Sequence, residues 1–168
     1  MTTMKLLVLS DSHGELHGMR LAYRREQPDY VLHLGDYFAD GQALQEEFPE
    51  MRLVQVAGNC DAYCFSPKAA ATRILPFGGL TVYMTHGHRQ HVKLGLMNLD
   101  YAAREARADL ALFGHTHEPY CEKIDGLWLL NPGTCQNSRG SYGVVTIENK
   151  IPDCKIVWFQ DMETEDGL

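Results

Sequence analysis

The sequence contains no long apolar run and no excess of basic residues. Its apolar stretch at residues 6–9 stops at Ser10 and Asp11, far short of the roughly 20 apolar residues of a membrane span or of the centre of a signal peptide. The net charge of −7, from 15 Lys and Arg against 22 Asp and Glu, argues against a broad basic surface for nucleic acid or anionic lipid. We therefore expect a cytoplasmic protein without a membrane or nucleic-acid partner.

The sequence has an odd number of cysteines, five. In a chain without an export signal, such cysteines are predicted to be reduced thiols that form no disulfide. Cys60 and Cys64 resemble half of a thiolate metal site, but no second pair follows them, so we do not expect such a site. The five cysteines are Cys60, Cys64, Cys121, Cys135 and Cys154.

The length of 168 residues fits one ordinary domain. We predict a single domain over residues 1–160 and a frayed, acidic tail over residues 161–168. Short apolar runs alternate with helical patterns in the first half, and this βαβαβ order predicts parallel strands with right-handed crossovers. The second half is mixed and contains a hairpin around Asp125-Gly126. Strands are predicted at 5–10, 30–34, 52–56, 81–84, 110–113, 121–124, 127–130, 142–147 and 155–159, and helices at 15–26, 42–48 and 92–106.

Five of the predicted strands are followed at once by polar side chains that can bind a metal. In an open α/β sheet, ligands bind outside the carboxyl ends of the strands, so we expect these side chains to converge. Neighbouring glycines let the backbone turn tightly beside them. The five motifs are DSH at residues 11–13, GD at 35–36, GN at 58–59, HGH at 86–88 and GHTH at 114–117.

Together the motifs offer two carboxylates, one amide oxygen and up to five imidazoles. Mixed nitrogen and oxygen ligands suit divalent Mn, Fe, Zn or Co. Seven or eight donors are too many for one tetrahedral ion. Two metals that share a carboxylate use them all, so the residues predict a dinuclear metal site.

In this order the motifs resemble those of the calcineurin-like metallophosphoesterase family, and in particular its compact bacterial phosphodiesterase branch. The motifs span residues 11–117, and NPG at 131–133 extends the likeness over nearly the whole chain. The resemblance implies an α/β fold of two facing mixed β-sheets flanked by helices, a four-layer α/β/β/α sandwich.

The resemblance also implies a reaction and a ligand for each position. The expected activity is metal-dependent hydrolysis of a small phosphodiester, with in-line attack on phosphorus by a metal-bridging hydroxide. The two divalent ions are expected to be Mn, with Fe, Zn, Co or Ni as alternatives. The implied ligands are Asp11, His13 and His117 on the first metal, Asn59, His86 and His115 on the second, and Asp36 bridging both.

The sequence departs from the family at one position. Many members carry a histidine directly after the GN asparagine, where it helps to protonate the leaving oxygen, but here the position is Cys60, followed by Asp61. A thiol is a poor general acid near neutral pH, so esters with good leaving groups should react fastest. We expect the catalytic set to be Asp36, Cys60, Asp61 and His88, with His88 contacting phosphate and Asp61 orienting a neighbouring group.

Several other polar and aromatic residues near the motifs have simpler interpretations. His33 is expected to be buried with local hydrogen-bond partners. Asn131 marks a turn that the hairpin brings near the metals, which leaves both a structural and a functional role open. Arg89 and Arg139 are expected to be solvated, and Phe38, Tyr63 and Phe65 to be packed.

Two further functions match part of the sequence. A non-catalytic protein-binding module, like the metallophosphoesterase-like subunit of retromer, has the same small architecture, and the missing histidine after GN is compatible with it. A nuclease like the double-strand-break repair enzyme of the superfamily needs a basic channel, against which the charge argues. We prefer the phosphodiesterase because all seven implied ligands are present. A homo-oligomer is compatible with the apolar strand edges.

Overall fold

The computed structural model describes residues 3–61, 69–136 and 138–166. This part of the chain forms ten strands, four helices and a 3₁₀ turn at Asn59–Asp61. The strands are β1 (Thr3–Leu9), β2 (Tyr30–His33), β3 (Leu53–Gln55), β4 (Thr72–Phe77), β5 (Leu80–Thr85), β6 (Leu110–Leu112), β7 (Tyr120–Ile124), β8 (Leu127–Asn131), β9 (Ser141–Glu148) and β10 (Ile151–Trp158). The helices are α1 (His17–Glu26), α2 (Phe38–Glu47), α3 (Met97–Glu105) and α4 (Phe159–Asp166).

The strands form two five-stranded sheets, ordered β10-β9-β1-β2-β3 and β4-β5-β6-β8-β7. As predicted, β1, β2 and β3 run parallel in the first sheet. In the second sheet β5, β6 and β8 are parallel, with antiparallel strands at both edges. Both sheets are therefore mixed.

Three apolar cores stack the sheets and helices into four layers. The central core lies between the two sheets and joins Leu6 and Val8 of β1 to Met84 of β5. The alternate residues of β1 point the other way, where Leu7 and Leu9 pack against α1, α2 and α4. A third core lies between α3 and the second sheet. The predicted α/β/β/α sandwich is confirmed, and β1 reads as a continuous apolar run because both of its faces are buried.

Strand β4 was not predicted from the sequence. β4 pairs antiparallel with β5 across a turn at Gly78 and Gly79, whose φ angles are +58° and +84°. Two residues with positive φ are what a tight hairpin turn of this kind needs. Pro76 argues against a strand in the sequence, but proline is tolerated here because β4 lies at the edge of its sheet.

Two helix boundaries and the end of the chain also differ from expectation. The helix predicted at 92–106 begins only at Met97, after turns, and the helix predicted at 42–48 begins at Phe38. The frayed end expected from residue 161 is helical as far as Asp166, and Met162 is only 4% exposed because it packs beneath the first sheet. The division into domain and tail at residue 160 stays a prediction.

No helix in the described part of the chain has the length and apolar character needed to cross a membrane.

Candidate metal centre

The predicted ligands lie on loops that leave the carboxyl ends of strands from both sheets. Five of them adopt the left-handed backbone conformation, with φ between +46° and +72°. Non-glycine residues seldom adopt this conformation, and it persists where the surrounding structure enforces it, typically at functional sites. The five are Asp11, His13, Asp36, His115 and His117.

The side chains converge in two groups that share Asp36. The ligand atoms of the first group, formed with Asp11, His13 and His117, all lie within 4.8 Å of one another. In it, His117 Nε2 lies 3.3 Å from Asp11 Oδ1, and His13 Nε2 lies 3.7 Å from Asp36 Oδ2.

The second group consists of Asp36, His86 and His115, and its ligand atoms also lie within 4.8 Å of one another. His86 Nε2 lies 3.4 Å from Asp36 Oδ2 and 3.2 Å from His115 Nδ1. Six of the seven implied metal ligands are thus brought together around one carboxylate.

Hydrogen bonds aim one oxygen of each aspartate at the centre. Asp36 Oδ1 accepts the backbone N–H of Cys60 at 2.9 Å, which leaves Oδ2 facing the histidines. Asp11 Oδ2 accepts the Ser10 hydroxyl at 2.6 Å and the backbone N–H of His115 at 3.1 Å. Outer contacts of this kind orient metal ligands in proteins.

His86 is oriented in the same way. Its Nδ1 lies 2.8 Å from the Leu34 carbonyl oxygen, which can only accept a hydrogen bond, so Nδ1 carries the proton and donates it. The lone pair of Nε2 then points to the aspartates, which is the tautomer a metal requires.

Buried polar atoms without partners indicate that a cation belongs here. Asp11 Oδ1 and His13 Nε2 are buried and make no hydrogen bond, although leaving such an atom unsatisfied costs about 1–3 kcal/mol. Both atoms belong to the first group. Carboxylate and imidazole donors without thiolate fit Mn²⁺, Fe²⁺, Co²⁺ or Zn²⁺, so the residues present suit a pair of such ions.

The charges of the site shift the pKa values of its members. Burial would raise the pKa of Asp11, but the nearby His117 and His86 outweigh it and lower that pKa. Burial would likewise lower the pKa of His86, but the Asp36 and Asp11 carboxylates raise it. Burial, with the charges of His86 and Lys93, lowers the pKa of His115 to about 4. His115 is therefore neutral at physiological pH and free to bind a metal.

Asn59 and Cys60 lie on the 3₁₀ turn after β3, and both are exposed. The Asn59 amide nitrogen lies 3.7 Å from Cys60 Sγ. Partial desolvation beside the site and the Asp36 carboxylate raise the pKa of the Cys60 thiol, so it stays protonated at neutral pH. Cys121, Cys135 and Cys154 are free thiols too, as predicted, whereas Cys64 lies outside the described residues.

Asp61 and His88 occupy different positions around the centre. Within the described residues, the Asp61 carboxylate accepts hydrogen bonds from backbone N–H groups: Oδ1 from Tyr37 and Phe38, and Oδ2 from Gly58. His88 lies next to the ligand His86. Their ring centroids are 5.5 Å apart, and the buried Nδ1 of His88 makes no hydrogen bond.

Beneath the first loop lies a polar network that the sequence analysis found only in part. His33 is fully buried, as predicted, and its Nδ1 accepts the Gly35 N–H at 3.2 Å. Its Nε2 therefore donates to Ser12 Oγ at 3.0 Å, and Ser12 donates to Asp40 at 2.7 Å. Asp40 also accepts the Gly14 N–H, so the network ties the DSHG loop to α2. Because the bonds that join His33 to Ser12 and Asp40 to the DSHG loop link residues 21 to 28 positions apart, no local sequence motif indicates this network.

Asn131 has a structural contact. Its amide donates to the Gly114 carbonyl at 3.1 Å and to Thr116 Oγ1 at 3.0 Å, so it fixes the loop that carries His115 and His117. Among the other side chains considered, Arg89 and Arg139 are exposed and Phe38 is buried, as expected, whereas Tyr63 and Phe65 lie outside the described residues.

Comparison with known proteins agrees with this geometry. The profile of the calcineurin-like phosphoesterase superfamily domain matches residues 4–150. The chain belongs to this superfamily. It is 34% identical over 165 residues to the probable metallophosphoesterase YsnB of Bacillus subtilis, covering 94% of this chain and 91% of YsnB. It is 27% identical over 146 residues to the phosphodiesterase MJ0936 of Methanocaldococcus jannaschii, covering 79% of this chain and 84% of that protein.

Solved structures share the fold of this calcineurin-like phosphoesterase. A predicted phosphoesterase from Streptococcus pneumoniae superposes with a TM-score of 0.77 at 27% identity, covering 95% of this chain and 92% of that one. Vacuolar protein sorting 29 from Cryptosporidium parvum gives a TM-score of 0.74 at 15% identity, over 94% and 98% of the two chains. The second likeness shows the fold alone.

Proposed function

We propose that this phosphoesterase hydrolyses small phosphodiesters with two divalent metal ions held around Asp36. The observation that carries the proposal is the pair of ligand groups meeting at one buried carboxylate, with Oδ2 facing His13 and His86. Two metals sharing a carboxylate are the usual arrangement for clamping a phosphoryl group. The naming of MJ0936 as a phosphodiesterase supports the diester as substrate.

We assign the ligands as the family resemblance implies. The convergence of six side chains supports this assignment, and Asn59 is included because it directly precedes Cys60, whose N–H binds Asp36. We propose Mn²⁺ as the native ion, with Fe, Zn, Co or Ni as alternatives. The ligands are Asp11, His13 and His117 for the first ion, Asn59, His86 and His115 for the second, and Asp36 for both.

When bound, the ions lower the pKa of water and offset negative charge on the phosphoryl oxygens. The chain itself orients the ligands, through the Leu34 carbonyl on His86 and the backbone N–H groups on the two aspartates. His88 has a buried nitrogen without a partner beside His86, and we assign it to a phosphoryl oxygen of the substrate.

The chain provides only a weak general acid to protonate the leaving oxygen. Cys60 occupies the position of the usual acid, and its raised thiol pKa makes proton donation weak near neutral pH. Asp61 points its oxygens at three backbone N–H groups, so it acts on the loop that carries Asp36. We therefore propose Cys60 and Asp61 as a weak acid and a positioning residue.

The test is hydrolysis of an aryl phosphodiester by chelator-stripped protein, with and without added Mn²⁺, beside the matching aryl monoester. We expect metal-dependent turnover that favours the diester. Calorimetric titration with Mn²⁺ should show two sites per chain, and Asp36→Asn should lose both binding and turnover. Asp29→Asn is a matched control, since the Asp29 carboxylate accepts the Lys5 N–H at an exposed position and is not among the implied ligands. A wild-type rate in Asp36→Asn would refute the proposal.

The protein-binding alternative shares the fold and is compatible with Cys60 after Asn59, but neither observation favours it over the phosphodiesterase. Its test is the same assay, because a binding module would show no turnover with any divalent metal. The cytoplasmic location, the absence of nucleic-acid and membrane partners and the homo-oligomer stay predictions from the sequence.

A further inference from the structure

A cavity of about 460 Å³ opens between the turns before α3 and the start of β7. Its walls are mostly apolar. Phe113 and Val92 are almost fully buried at 1% and 4% exposure, and the Phe113 and Tyr120 rings lie 6.3 Å apart and tilted by 56°. Leu96 and Pro119 complete the apolar lining. A cavity of this size and character is typical of binding sites for small organic groups, which span about 300–1,000 Å³.

The cavity lies beside the loop that carries two of the implied metal ligands. Thr116 lines it and stands in the chain between the ligands His115 and His117. The Thr116 hydroxyl is held by Asn131 and by the backbone of Glu118, so this wall is fixed by the same bonds that fix the ligand loop.

The polar residues of the cavity lie at its mouth. Lys93 and Glu118 line it and are exposed. A positive charge there favours an anionic phosphoryl group at the metals, while the apolar interior accepts an uncharged substituent.

We propose that this cavity binds a planar aromatic ester group of the substrate, so that the preferred substrates are aryl phosphodiesters. The inference rests on the proposed phosphodiesterase function. Leu96, Pro119 and Tyr120 are partly exposed and offer the cavity its apolar surface, and a flat aromatic ring packs well against a tyrosine ring. With the ring in this cavity, the phosphoryl group is directed toward the metal ligands on the loop of Thr116.

The topology indicates which of the two ester groups occupies the cavity. β7 contacts β10, at one edge of the sandwich, and the cavity lies beside β7. Cys60, on the side implied for the leaving group, follows β3 at the opposite edge of the first sheet. The cavity therefore holds the ester group that remains on phosphorus.

The test compares phenyl 4-nitrophenyl phosphate with methyl 4-nitrophenyl phosphate in the Mn²⁺-loaded enzyme. Both release 4-nitrophenolate, so they differ in the remaining group. Leu96→Trp fills the cavity from a half-buried wall position, and Leu94→Trp makes the same change where the side chain is 90% exposed. Leu96→Phe provides a smaller filling should the larger one perturb folding, which circular dichroism will show.

We expect the wild type to favour the phenyl ester, and Leu96→Trp to lower the phenyl-to-methyl ratio of kcat/KM about tenfold, as loss of an apolar contact does. Leu96→Phe should lower it less, and Leu94→Trp should leave it unchanged. An unchanged ratio in both folded Leu96 variants, or an equal fall for both esters, would overturn the cavity assignment. Failure of the wild type to hydrolyse either ester would reject the phosphodiesterase itself.

Discussion

Asp61→Ala is the most informative single change, because this carboxylate touches none of the converging ligand side chains and yet organises their backbone. Oδ1 accepts the N–H groups of Tyr37 and Phe38 at 2.9 and 2.8 Å, and Oδ2 accepts that of Gly58 at 2.8 Å. Tyr37 has a φ of +72° and directly follows Asp36, whose φ is +56°. The substitution removes the bonds that hold this strained segment in place.

The size of the effect follows from the three bonds. Each partly exposed N–H left without its acceptor costs about 1 kcal/mol, so the metal-free variant should lose about 3 kcal/mol of unfolding free energy. For a chain of this size, that corresponds to a fall of about 6–12 °C in the unfolding midpoint. Because Asp36 then loses its orientation, metal affinity should fall about 10–100-fold, as for other outer contacts of metal sites.

Thermal unfolding of the metal-free protein and calorimetric titration with Mn²⁺ measure the two effects separately. Asp109→Ala is the matched control. The Asp109 carboxylate accepts one backbone N–H, from Thr81 at 2.8 Å, at the amino ends of β5 and β6, away from the ligand loops. It should cost about 1 kcal/mol and leave metal affinity unchanged. Asp61→Asn keeps an acceptor for Tyr37 and Phe38 and should lie between Asp61→Ala and the wild type.

Wild-type metal affinity in Asp61→Ala, together with a midpoint no lower than that of Asp109→Ala, would refute the reasoning. The backbone after Asp36 would then keep its conformation without the carboxylate.

Three further changes test other parts of the argument. A Cβ on Gly58 would meet Asp36, whose backbone nitrogen would lie 2.6 Å away, so Gly58→Ala should displace the shared carboxylate and lower Mn²⁺ affinity by about tenfold or more in calorimetric titration. Cys60→His restores an imidazole acid and should accelerate alkyl diesters more than aryl diesters; equal acceleration of both would contradict a role at the leaving oxygen. Burial lowers the pKa of His33 below 6.5, so lowering the pH through 6.5 protonates the unfolded chain first, and the metal-free protein should lose unfolding free energy. This loss should be smaller in His33→Gln, as measured by urea unfolding between pH 7.5 and 5, a range that spans the roughly 6.5 of a free histidine.

The metal centre could be predicted largely from the sequence because its ligands follow strands. A strand that is buried on both faces shows as a short apolar run, and the carboxyl ends of such strands meet at one edge. Asp11, Asp36 and His86 each come directly after such a run or within a residue or two of it, so their convergence could be expected from local pattern alone.

Contacts that join distant segments could not be predicted in this way. The backbone N–H groups of Tyr37 and Phe38, which donate to Asp61, lie 24 and 23 residues before it in the chain, and nothing in either segment marks the other. The buried position of Met162 is decided likewise by the packing of α4 beneath the first sheet, since its own segment is acidic and lacks an extended apolar pattern.

The sequence by itself thus determined the parallel order of the first strands and the chemistry of the ligands, because both depend on periodicity and on residue type, whereas the layer order followed from the family resemblance. Tertiary structure alone decided which oxygen of Asp11 and Asp36 faces the centre, since hydrogen bonds from remote backbone groups occupy the other. It also decided where the aromatic cavity lies, because Val92 and Tyr120, 28 residues apart, line it together only after α3 packs against the second sheet.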